Sequence, residues 1–384
     1  MAEKRIKPGW KVWRFEQMAT NVNVRIDNPS ESGMEHYVGL EHLDPDSLRI
    51  RRWGSPSDVE AGKLFFKSGD IIFAKRRAYQ RKLGVAEFDG ICSAHAMVLR
   101  AKPEVVLPDF LPFFMQSDLF MNRAVEISVG SLSPTINWKT MAMQEFSLPP
   151  MEEQKRISKV SNALNFAAEE YLSARQAAET TRAAMLGHDI SVNWPKAKIV
   201  DVADVMTGKT PPTSNLDCWG EQVDFATPAD LQFDTGELSK TARKISEIGA
   251  GYSRVVPVKA ILVVCIGSTI GKVAMTANRT AFNQQINAVV CRSIDADYFY
   301  ALSTTIGAEL AKRSGTTAVP IINKGEFEKI EIPVPPIEKQ IEIGLRYKAM
   351  TASIQAIERR LKKVVSLRSE LFGQVFQWGG MRFV

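Results

Sequence analysis

Eight consecutive residues in the first half of the sequence combine side chains that proteins use to contact nucleic acids. Lys and Arg neutralise phosphates or reach guanine edges, Gln can pair with adenine, and Tyr can stack on a base or contact the backbone. The run therefore predicts a DNA-contacting loop, and its alternative is a solvated charged loop. Arg49, Arg51 and Arg52 are expected to extend the basic surface. The predicted contact residues are Lys75, Arg76, Arg77, Tyr79, Gln80, Arg81 and Lys82.

Polar loops of a different composition occur in the second half, at residues 207–214, 265–272 and 283–285. Their small residues suit a close approach of the backbone to a ligand, and Asn and Gln amides can pair with base edges. The alternatives are ordinary turn chemistry and hydrogen bonding at strand ends. The predicted contact residues in these loops are Lys209, Thr210, Ser268, Thr269, Lys272, Gln284 and Gln285.

Motifs for catalysis and nucleotide binding are incomplete. Residues 208–210 resemble the end of a phosphate-binding loop, but Ala203 stands where its first glycine is required. Residues 267–272 are one residue short of that motif, and Val273 follows instead of Ser or Thr. No GxGxxG follows a strand, no GxSxG occurs, and His and Cys do not cluster at metal-ligand spacing. We predict no catalytic residues, no metal and no cofactor in this chain.

The bulk composition allows two or three domains with real cores. The chain has 384 residues, of which 45% are hydrophobic, and a net charge of +6 that permits a polyanionic partner. The four Cys are scattered without a CxxC pair, which is typical of a reduced cytoplasmic protein. The longest apolar run, residues 261–266, is too short for a membrane span, so we expect no membrane association.

The element that must position these loops occurs twice, at residues 148–157 and 334–343. Each copy has a Pro-Pro pair after an extended apolar segment and then opens a helical pattern with early Glu residues, which the helix dipole favours. The first pattern runs from Glu152 to about Gly187, or roughly 50–55 Å, and Gly187 and Pro195 are expected to supply its stop. Its 3,4-spaced seam is Ile157, Val160, Leu164, Ala167, Tyr171, Ala174, Ala178, Thr181 and Met185.

The second helical pattern has the same spacing, and Arg368 is its one polar interruption. Because neither helix can bury its stripe alone, antiparallel pairing of the two helices is the simplest solution, and it would put the globular domains at opposite ends. The seam of the second helix is Met350, Ile354, Ile357, Leu361, Val364, Leu371 and Val375.

Four short segments before the first Pro-Pro motif have similar counterparts, in the same order, before the second, which indicates an internal duplication. The first copy is expected to contain strands at 71–74 and 96–99 and a helix at 109–125, and His95 is interpreted as a structural residue. A duplicated reader with different polar loops should read two different half-sites. The matched segments are 10–19 with 194–203, 71–74 with 261–264, 95–100 with 287–292, and 131–137 with 317–323.

The sequence predicts a mixed α/β (α+β) fold with two repeated recognition domains and two long antiparallel coiled-coil helices. The recognition domains are residues 1–150 and 191–336, and the spacer helices are residues 151–190 and 337–384, the latter with a tail.

Nearly the full chain resembles the specificity (S) subunits of type I restriction–modification systems. The features that carry the resemblance are the duplicated Pro-Pro helix motif, residues 207–213, 267–274 with 283–288, and the run 73–95. This sequence departs from the repeat at Ile341 and Glu342, which replace Lys155 and Arg156 of the first copy, and its two recognition domains are only weakly similar.

The resemblance implies a non-catalytic, sequence-specific reader of double-stranded DNA. Each recognition domain, with a curled sheet, would read one half of a bipartite asymmetric site, and the helices would fix the gap between the halves. Two methyltransferase subunits would bring S-adenosylmethionine and flip out an adenine, and ATP- and Mg-dependent restriction subunits would join them. The implied subunit-interface residues are Pro149, Pro150, Glu153, Gln154, Pro335, Pro336, Glu338 and Gln340.

Three other interpretations remain open from the sequence. The chain could serve a methylation-only system without a restriction subunit. It could be a coiled-coil adaptor whose repeated domains bind protein and not DNA. It could also be an enzyme of an unrecognised kind, which the incomplete motifs disfavour.

Overall fold

The computed structural model describes residues 7–232, 236–313 and 321–376, and the chain divides into two compact units. Unit 1 is Met1–Glu170 with Leu361–Val384, and unit 2 is Tyr171–Arg360. Residues 317–320 of one predicted repeat segment, and the predicted tail at 377–384, lie outside the described residues.

Unit 1 is built from short strands and short helices, followed by the start of a long helix. Its helices are α1 (Phe15–Met18), α2 (Leu111–Gln116), α3 (Asp118–Glu126), α4 (Trp138–Ala142) and the first part of α5 (Met151–Ser191). Its strands are β1 (Lys11–Arg14), β2 (Ala19–Val22), β3 (Arg25–Ile26), β4 (Tyr37–Val38), β5 (Lys63–Phe66), β6 (Ile71–Phe73), β7 (Leu83–Val85), β8 (Gly90–Cys92), β9 (Met97–Ala101) and β10 (Glu145–Leu148).

The strands of unit 1 form a sheet in the order β2-β9-β6-β7, a sheet in the order β3-β5-β8-β4, and the pair β1-β10. Successive residues of a strand face opposite sides of its sheet. Ile71 and Phe73 therefore join a core with helices α2 and α3, whereas Ile72 and Val98 join a core with the second sheet.

Unit 2 repeats this plan, with the single longer helix α8 in the place of α2 and α3. Its strands are β11 (Lys196–Lys198), β12 (Ala203–Thr207), β13 (Trp219–Ala226), β14 (Glu237–Leu238), β15 (Arg243–Ile245), β16 (Val255–Val256), β17 (Ile261–Val264), β18 (Val273–Thr276), β19 (Thr280–Phe282), β20 (Ile286–Cys291) and β21 (Glu331–Pro333). Its helices are α6 (Ile199–Val202), α7 (Glu247–Tyr252), α8 (Ala296–Arg313), α9 (Lys324–Glu328) and most of α10 (Ile337–Phe376), whose last turns belong to unit 1.

Strand registers show the duplication directly. Trp13 pairs with Phe146 in β1-β10, and the corresponding residues Ala197 and Ile332 pair in β11-β21. The sheet order β12-β20-β17-β18-β14 likewise repeats β2-β9-β6-β7 and adds one strand. The predicted fold class, a mixed α+β protein with two repeated domains and two long helices that pack together, is confirmed. The bounds of the four predicted segments stay a prediction.

One predicted alignment of the repeat is wrong by two residues. The sequence match paired 95–100 with 287–292, which would make Leu99 correspond to Cys291. Ile71 pairs with Leu99 in unit 1, whereas the corresponding Ile261 pairs with Val289 in unit 2. A shift of two residues keeps every side chain on the same face of a strand, so the hydrophobic pattern could not reveal the error.

The long helices pack antiparallel in unit 2, since the numbering of the contacts runs in opposite directions. Arg175 lies 3.7 Å from Glu358, Arg182 donates to Thr351 at 2.8 Å, and Asp189 pairs with Arg346. In unit 1, Arg368 donates to Asn165 at 3.2 Å. The contact surface is thus more polar than the predicted seam, and three residues of that seam, Val160, Ala174 and Thr181, are exposed.

Two predicted helix boundaries are wrong. Helix α5 continues past Gly187 to Ser191, because one glycine costs a helix only about 1 kcal/mol and does not end it alone. The predicted helix at 109–125 is two helices, since Ser117 adopts an extended backbone and its hydroxyl caps α3 by accepting from the Phe120 N–H. Each helix within the described residues is too short or too polar to span a lipid bilayer.

Candidate nucleic-acid interface

The basic run of unit 1 is the loop that connects β6 to β7. The Ala74 N–H donates to the Lys82 carbonyl at 3.0 Å and closes the loop, and a short 3-10 helix, Ala78–Gln80, forms its tip. Arg77 and Arg81 flank this turn with left-handed φ values of 60° and 54°. Non-glycine residues occupy that region only when their surroundings enforce it, so the shape of the loop is set by its contacts.

A second loop, residues 131–136, supports the basic loop from one side. The Arg77 N–H donates to the Pro134 carbonyl at 2.7 Å, and the Ile136 N–H donates to the Lys75 carbonyl at 3.0 Å. In unit 2, the Ile322 N–H donates in the same way to the Cys265 carbonyl at 2.9 Å.

Two cations of the basic loop are engaged inside unit 1. The Arg81 guanidinium lies 2.7 Å from Asp46 and 3.0 Å from Asp118, and it donates to the Gln116 carbonyl at 2.6 Å. The Lys82 ammonium donates to the Leu40 carbonyl at 3.0 Å. These two side chains hold the loop in place, and their predicted DNA contacts stay untested.

Of the other predicted contact residues in this loop, Arg77 and Tyr79 are exposed, whereas Lys75, Arg76 and Gln80 are half-buried. Tyr79 is 54% exposed, and Arg77 is exposed apart from a 3.1 Å hydrogen bond from Nε to Ser133. Gln80 is half-buried, as is Lys75, whose pKa is lowered by burial and then by the charge of Arg25.

His95, which the sequence interpretation treated as a structural residue, stands in the turn between β8 and β9 beside this loop. Its Nε2 lies 3.2 Å from Nη1 of Arg76, so the imidazole accepts the arginine's hydrogen. Burial lowers the His95 pKa, and the charges of Arg76, Lys75 and Lys63 lower it further, which favours the neutral ring. With the correct repeat alignment, His95 corresponds to Gln285, a residue that the sequence did single out.

The arginines that were expected to extend the basic surface are neutralised by carboxylates. Arg51 pairs with Glu169 of α5 and with Asp44, while Arg52 pairs with Asp44 and Arg49 lies 3.7 Å from Glu87. The expected extension is therefore a set of ion pairs, because carboxylates distant in sequence fold onto these arginines.

The three polar loops of unit 2 meet at one end of its sheet. The Thr210 hydroxyl donates to the Gln284 side chain at 2.8 Å, and the Cys265 N–H donates to the Gln285 carbonyl at 2.8 Å. Gly208 lies so close to the β19-β20 turn that a Cβ there would stand 2.1 Å from the Asn283 carbonyl oxygen. Glycine is therefore required for this approach.

Side chains of the unit 2 cluster differ in accessibility. Lys209, Ser268 and Gln284 are exposed, and Thr269 is half-buried. The Lys272 ammonium donates to the Pro228 carbonyl at 3.1 Å, so it stabilises the loop from inside. This cluster is mostly neutral and rich in amides and hydroxyls, whereas the unit 1 cluster is cationic.

At the Pro-Pro motifs, Gln154 and Gln340 are buried, with only 1% and 2% of their surfaces exposed, and their side chains have a structural role. Gln154 Nε2 donates to the Pro149 carbonyl at 3.0 Å, and its Oε1 accepts from the Leu107 N–H at 2.9 Å. Gln340 repeats both bonds with Pro335 and Asp295 at 2.8 Å each.

The other predicted interface residues divide by exposure. Pro149 and Pro335 are buried like the glutamines, and Glu153 is half-buried. Pro150, Pro336 and Glu338 are exposed. A partner could touch only the accessible members of the predicted interface.

Reactive groups are not gathered at either cluster. Burial raises the pKa of the Cys92 and Cys265 thiols to about 12, which disfavours nucleophilic thiolates. Among residues 7–232, 236–313 and 321–376, no group of three His, Cys, Asp or Glu side chains could hold a metal ion. The arrangement supplies hydrogen-bond donors, acceptors and positive charge, which is chemistry for binding.

The duplicated fold and its two dissimilar loop clusters define a tandem binding protein. Residues 58–165 and 191–366 match the family described as the type I restriction modification DNA specificity domain, which covers more than half of the sequence. The chain belongs to this family.

Two relatives agree with that assignment. The specificity subunit of the HindI enzyme of Haemophilus influenzae is 33% identical over 153 residues, 38% of this chain and 32% of the relative. The MjaIX specificity subunit of Methanocaldococcus jannaschii is 26% identical over 193 residues, 49% of this chain and 44% of the relative. This chain therefore aligns with less than half the length of each.

Two solved structures share the fold over almost the whole chain. The type I restriction–modification S subunit of M. genitalium has a TM-score of 0.68 at 11% identity and covers 99% of both chains. A chain from a structural study of the assembly of a type I R-M system has a TM-score of 0.56 at 21% identity, covering 97% of this chain and 98% of its own.

Proposed function

We propose that this chain is the DNA-reading subunit of a type I restriction–modification system and has no catalytic role of its own. The observation that carries the proposal is the pair of loop clusters at corresponding places in units 1 and 2. A repeated scaffold with a cationic cluster in one copy and an amide-rich cluster in the other suits the reading of two different DNA sequences. Each unit would read one half of a bipartite, asymmetric site.

In this proposal the paired helices α5 and α10 fix the gap between the half-sites, and partner enzymes supply the chemistry. Two methyltransferase subunits would bring S-adenosylmethionine and flip out adenine, and restriction subunits would use ATP and Mg. The exposed residues Pro150, Pro336 and Glu338 would contribute to the methyltransferase contact. These residues lie at the start of each long helix, next to Gln154 or Gln340. The hydrogen bonds of those buried glutamines would hold the contact surface in a fixed position.

The decisive measurement is nuclease protection of DNA by the full-length chain with its methyltransferase subunits. We expect two protected blocks separated by an unprotected gap, and an affinity that falls steeply with salt because phosphate contacts release counterions. An adaptor that binds only protein would give neither result.

A charge variant tests the unit 1 cluster separately. Replacing Arg76 and Arg77 by Gln should weaken DNA binding and reduce the salt slope, while methyltransferase binding stays unchanged. Unchanged DNA affinity would remove the basic loop from the interface. Arg81 is left intact in this variant because its contacts are internal.

A further inference from the structure

The turn that precedes β9 in unit 1 and β20 in unit 2 holds a polar side chain in the same way in both copies. The backbone N–H of His95 donates to the Ser93 hydroxyl at 3.2 Å. The backbone N–H of Gln285 donates in the same way to the side-chain oxygen of Asn283, also at 3.2 Å. The turn geometry is therefore shared, whereas the side chain that it presents differs. A position of constant geometry and variable chemistry suits the discrimination of bases.

In each unit this side chain is held by a neighbour. His95 accepts from Nη1 of Arg76 at 3.2 Å, and the Gln285 side-chain oxygen accepts from Nδ2 of Asn283 at 3.0 Å. Held side chains lose less conformational entropy when they bind, and they present their remaining donors in a defined direction.

Arg76 differs from the other arginines of the basic loop. Within the described residues of unit 1, its side chain bonds to His95 and to no carboxylate, whereas Arg81 has two carboxylate partners. Arg77 is bonded through Nε to a serine on the supporting loop. Arg76 is half-buried, and its guanidinium has no carboxylate partner in that part of the chain. The contact with His95 uses one N–H of Nη1 and leaves the other N–H donors of the guanidinium without a carboxylate acceptor.

A guanidinium with one edge fixed can offer a pair of N–H donors to the O6 and N7 acceptors of guanine in the major groove. Resting on the proposed function, we infer that Arg76, positioned by His95, reads a guanine in the half-site bound by unit 1. A phosphate contact at Arg76 would strengthen binding to every sequence, whereas a base contact makes binding depend on one base pair.

The test starts with selection of preferred sites from randomised DNA by the full-length chain with its methyltransferase subunits. We expect Arg76→Gln to lose 10- to 100-fold preference for one guanine of the unit 1 half-site and to keep the unit 2 half-site. Arg76→Lys keeps the charge but lacks the planar fork, so it should also lose the preference. Arg77→Gln, one residue away, is the matched control and should weaken all sequences alike.

Base analogues then test the atoms involved. Replacing that guanine by 7-deazaguanine removes N7, which should weaken the wild-type chain about tenfold and leave Arg76→Gln unaffected. His95→Ala should lose part of the guanine preference, and His95→Gln, which keeps an acceptor, should regain some of it. Thermal unfolding of each variant guards against misfolding as the cause.

The outcomes separate the two proposals. Sequence-selected binding by the wild-type chain supports the proposed function, and its absence overturns both the function and the inference. Normal selection with an Arg76→Gln variant that weakens every sequence equally, or that remains sensitive to 7-deazaguanine, overturns the inference alone.

Discussion

At the residue scale, the side chains of the basic loop differ in role because they differ in partners. Arg81 is anchored by two carboxylates and a carbonyl, whereas Arg77 and Tyr79 are open to solvent. The composition of the loop does not distinguish Arg81 from Arg77, since both are arginines. Their contacts make Arg81 a positioning residue and leave recognition to its neighbours.

Replacing Arg81 by Met should therefore destabilise unit 1 by about 1–3 kcal/mol, because Asp46 and the Gln116 carbonyl lose their partner. Arg77→Met, which removes an equal charge from the same loop, should cost less than about 0.5 kcal/mol. Urea unfolding of the full chain measures both. Equal effects of the two substitutions would refute the assigned difference.

The pKa of His95 gives a pH-dependent prediction. Since folding lowers this pKa below 6.5, the unfolded state binds more protons in that range. The stabilisation from a neutral His95 is therefore fully present above about pH 6.5 and is lost as pH falls through that value toward the folded pKa. The free energy of unfolding should fall more between pH 7.5 and 5.5 for the wild-type chain than for His95→Gln. Identical slopes would contradict the assignment.

At the element scale, long periodic segments could be predicted and local interruptions could not. The two long helices follow from their 3,4 spacing and Pro-Pro starts. Ser117 divides a predicted helix because its backbone is extended and its hydroxyl caps α3. Gly187 does not end α5, because one glycine costs a helix only about 1 kcal/mol. Arg175 and Arg182 lie between α5 and α10 because each has a polar partner on α10. Glu358 balances the charge of Arg175, and the Thr351 hydroxyl accepts a hydrogen bond from Arg182.

The junction glutamines carry the element-scale prediction. Gln154→Leu leaves the Pro149 carbonyl and the Leu107 N–H without this amide, so it should destabilise unit 1 by about 2–4 kcal/mol. Gln340→Leu should have a similar effect on unit 2, since both bonds recur there. Glu153→Ala, one position away and partly solvated, is the control and should change the free energy of unfolding by less than about 0.5 kcal/mol. Thermal unfolding that is unchanged in Gln154→Leu would rule out the locking role.

At the scale of the whole molecule, the duplication could be predicted from the sequence, whereas the meeting of the three polar loops of unit 2 could not. His95 could not, because the repeat was aligned two residues out of register and the same hydrophobic faces matched either way. The neutralisation of Arg51 was also hidden, since its partner Glu169 lies 118 residues away in sequence. Both features depend on tertiary pairing, which local patterns do not encode.

If the paired helices set the gap between half-sites, lengthening them should lengthen the gap. Because α5 and α10 contact each other, a seven-residue insertion must be made in both, after Glu170 and after Arg360. Seven residues add about 10 Å of helix, which equals roughly three base pairs of DNA. Methylated adenines mapped by sequencing, in cells that also express the methyltransferase, should then flank a gap about three base pairs longer, with both half-sequences retained. Two-residue insertions at the same points turn the following residues by about 200°, to the opposite face of each helix, and should reduce methylation at every spacing. Modified sites that keep their original gap after the heptad insertions would mean that another part of the assembly measures the distance.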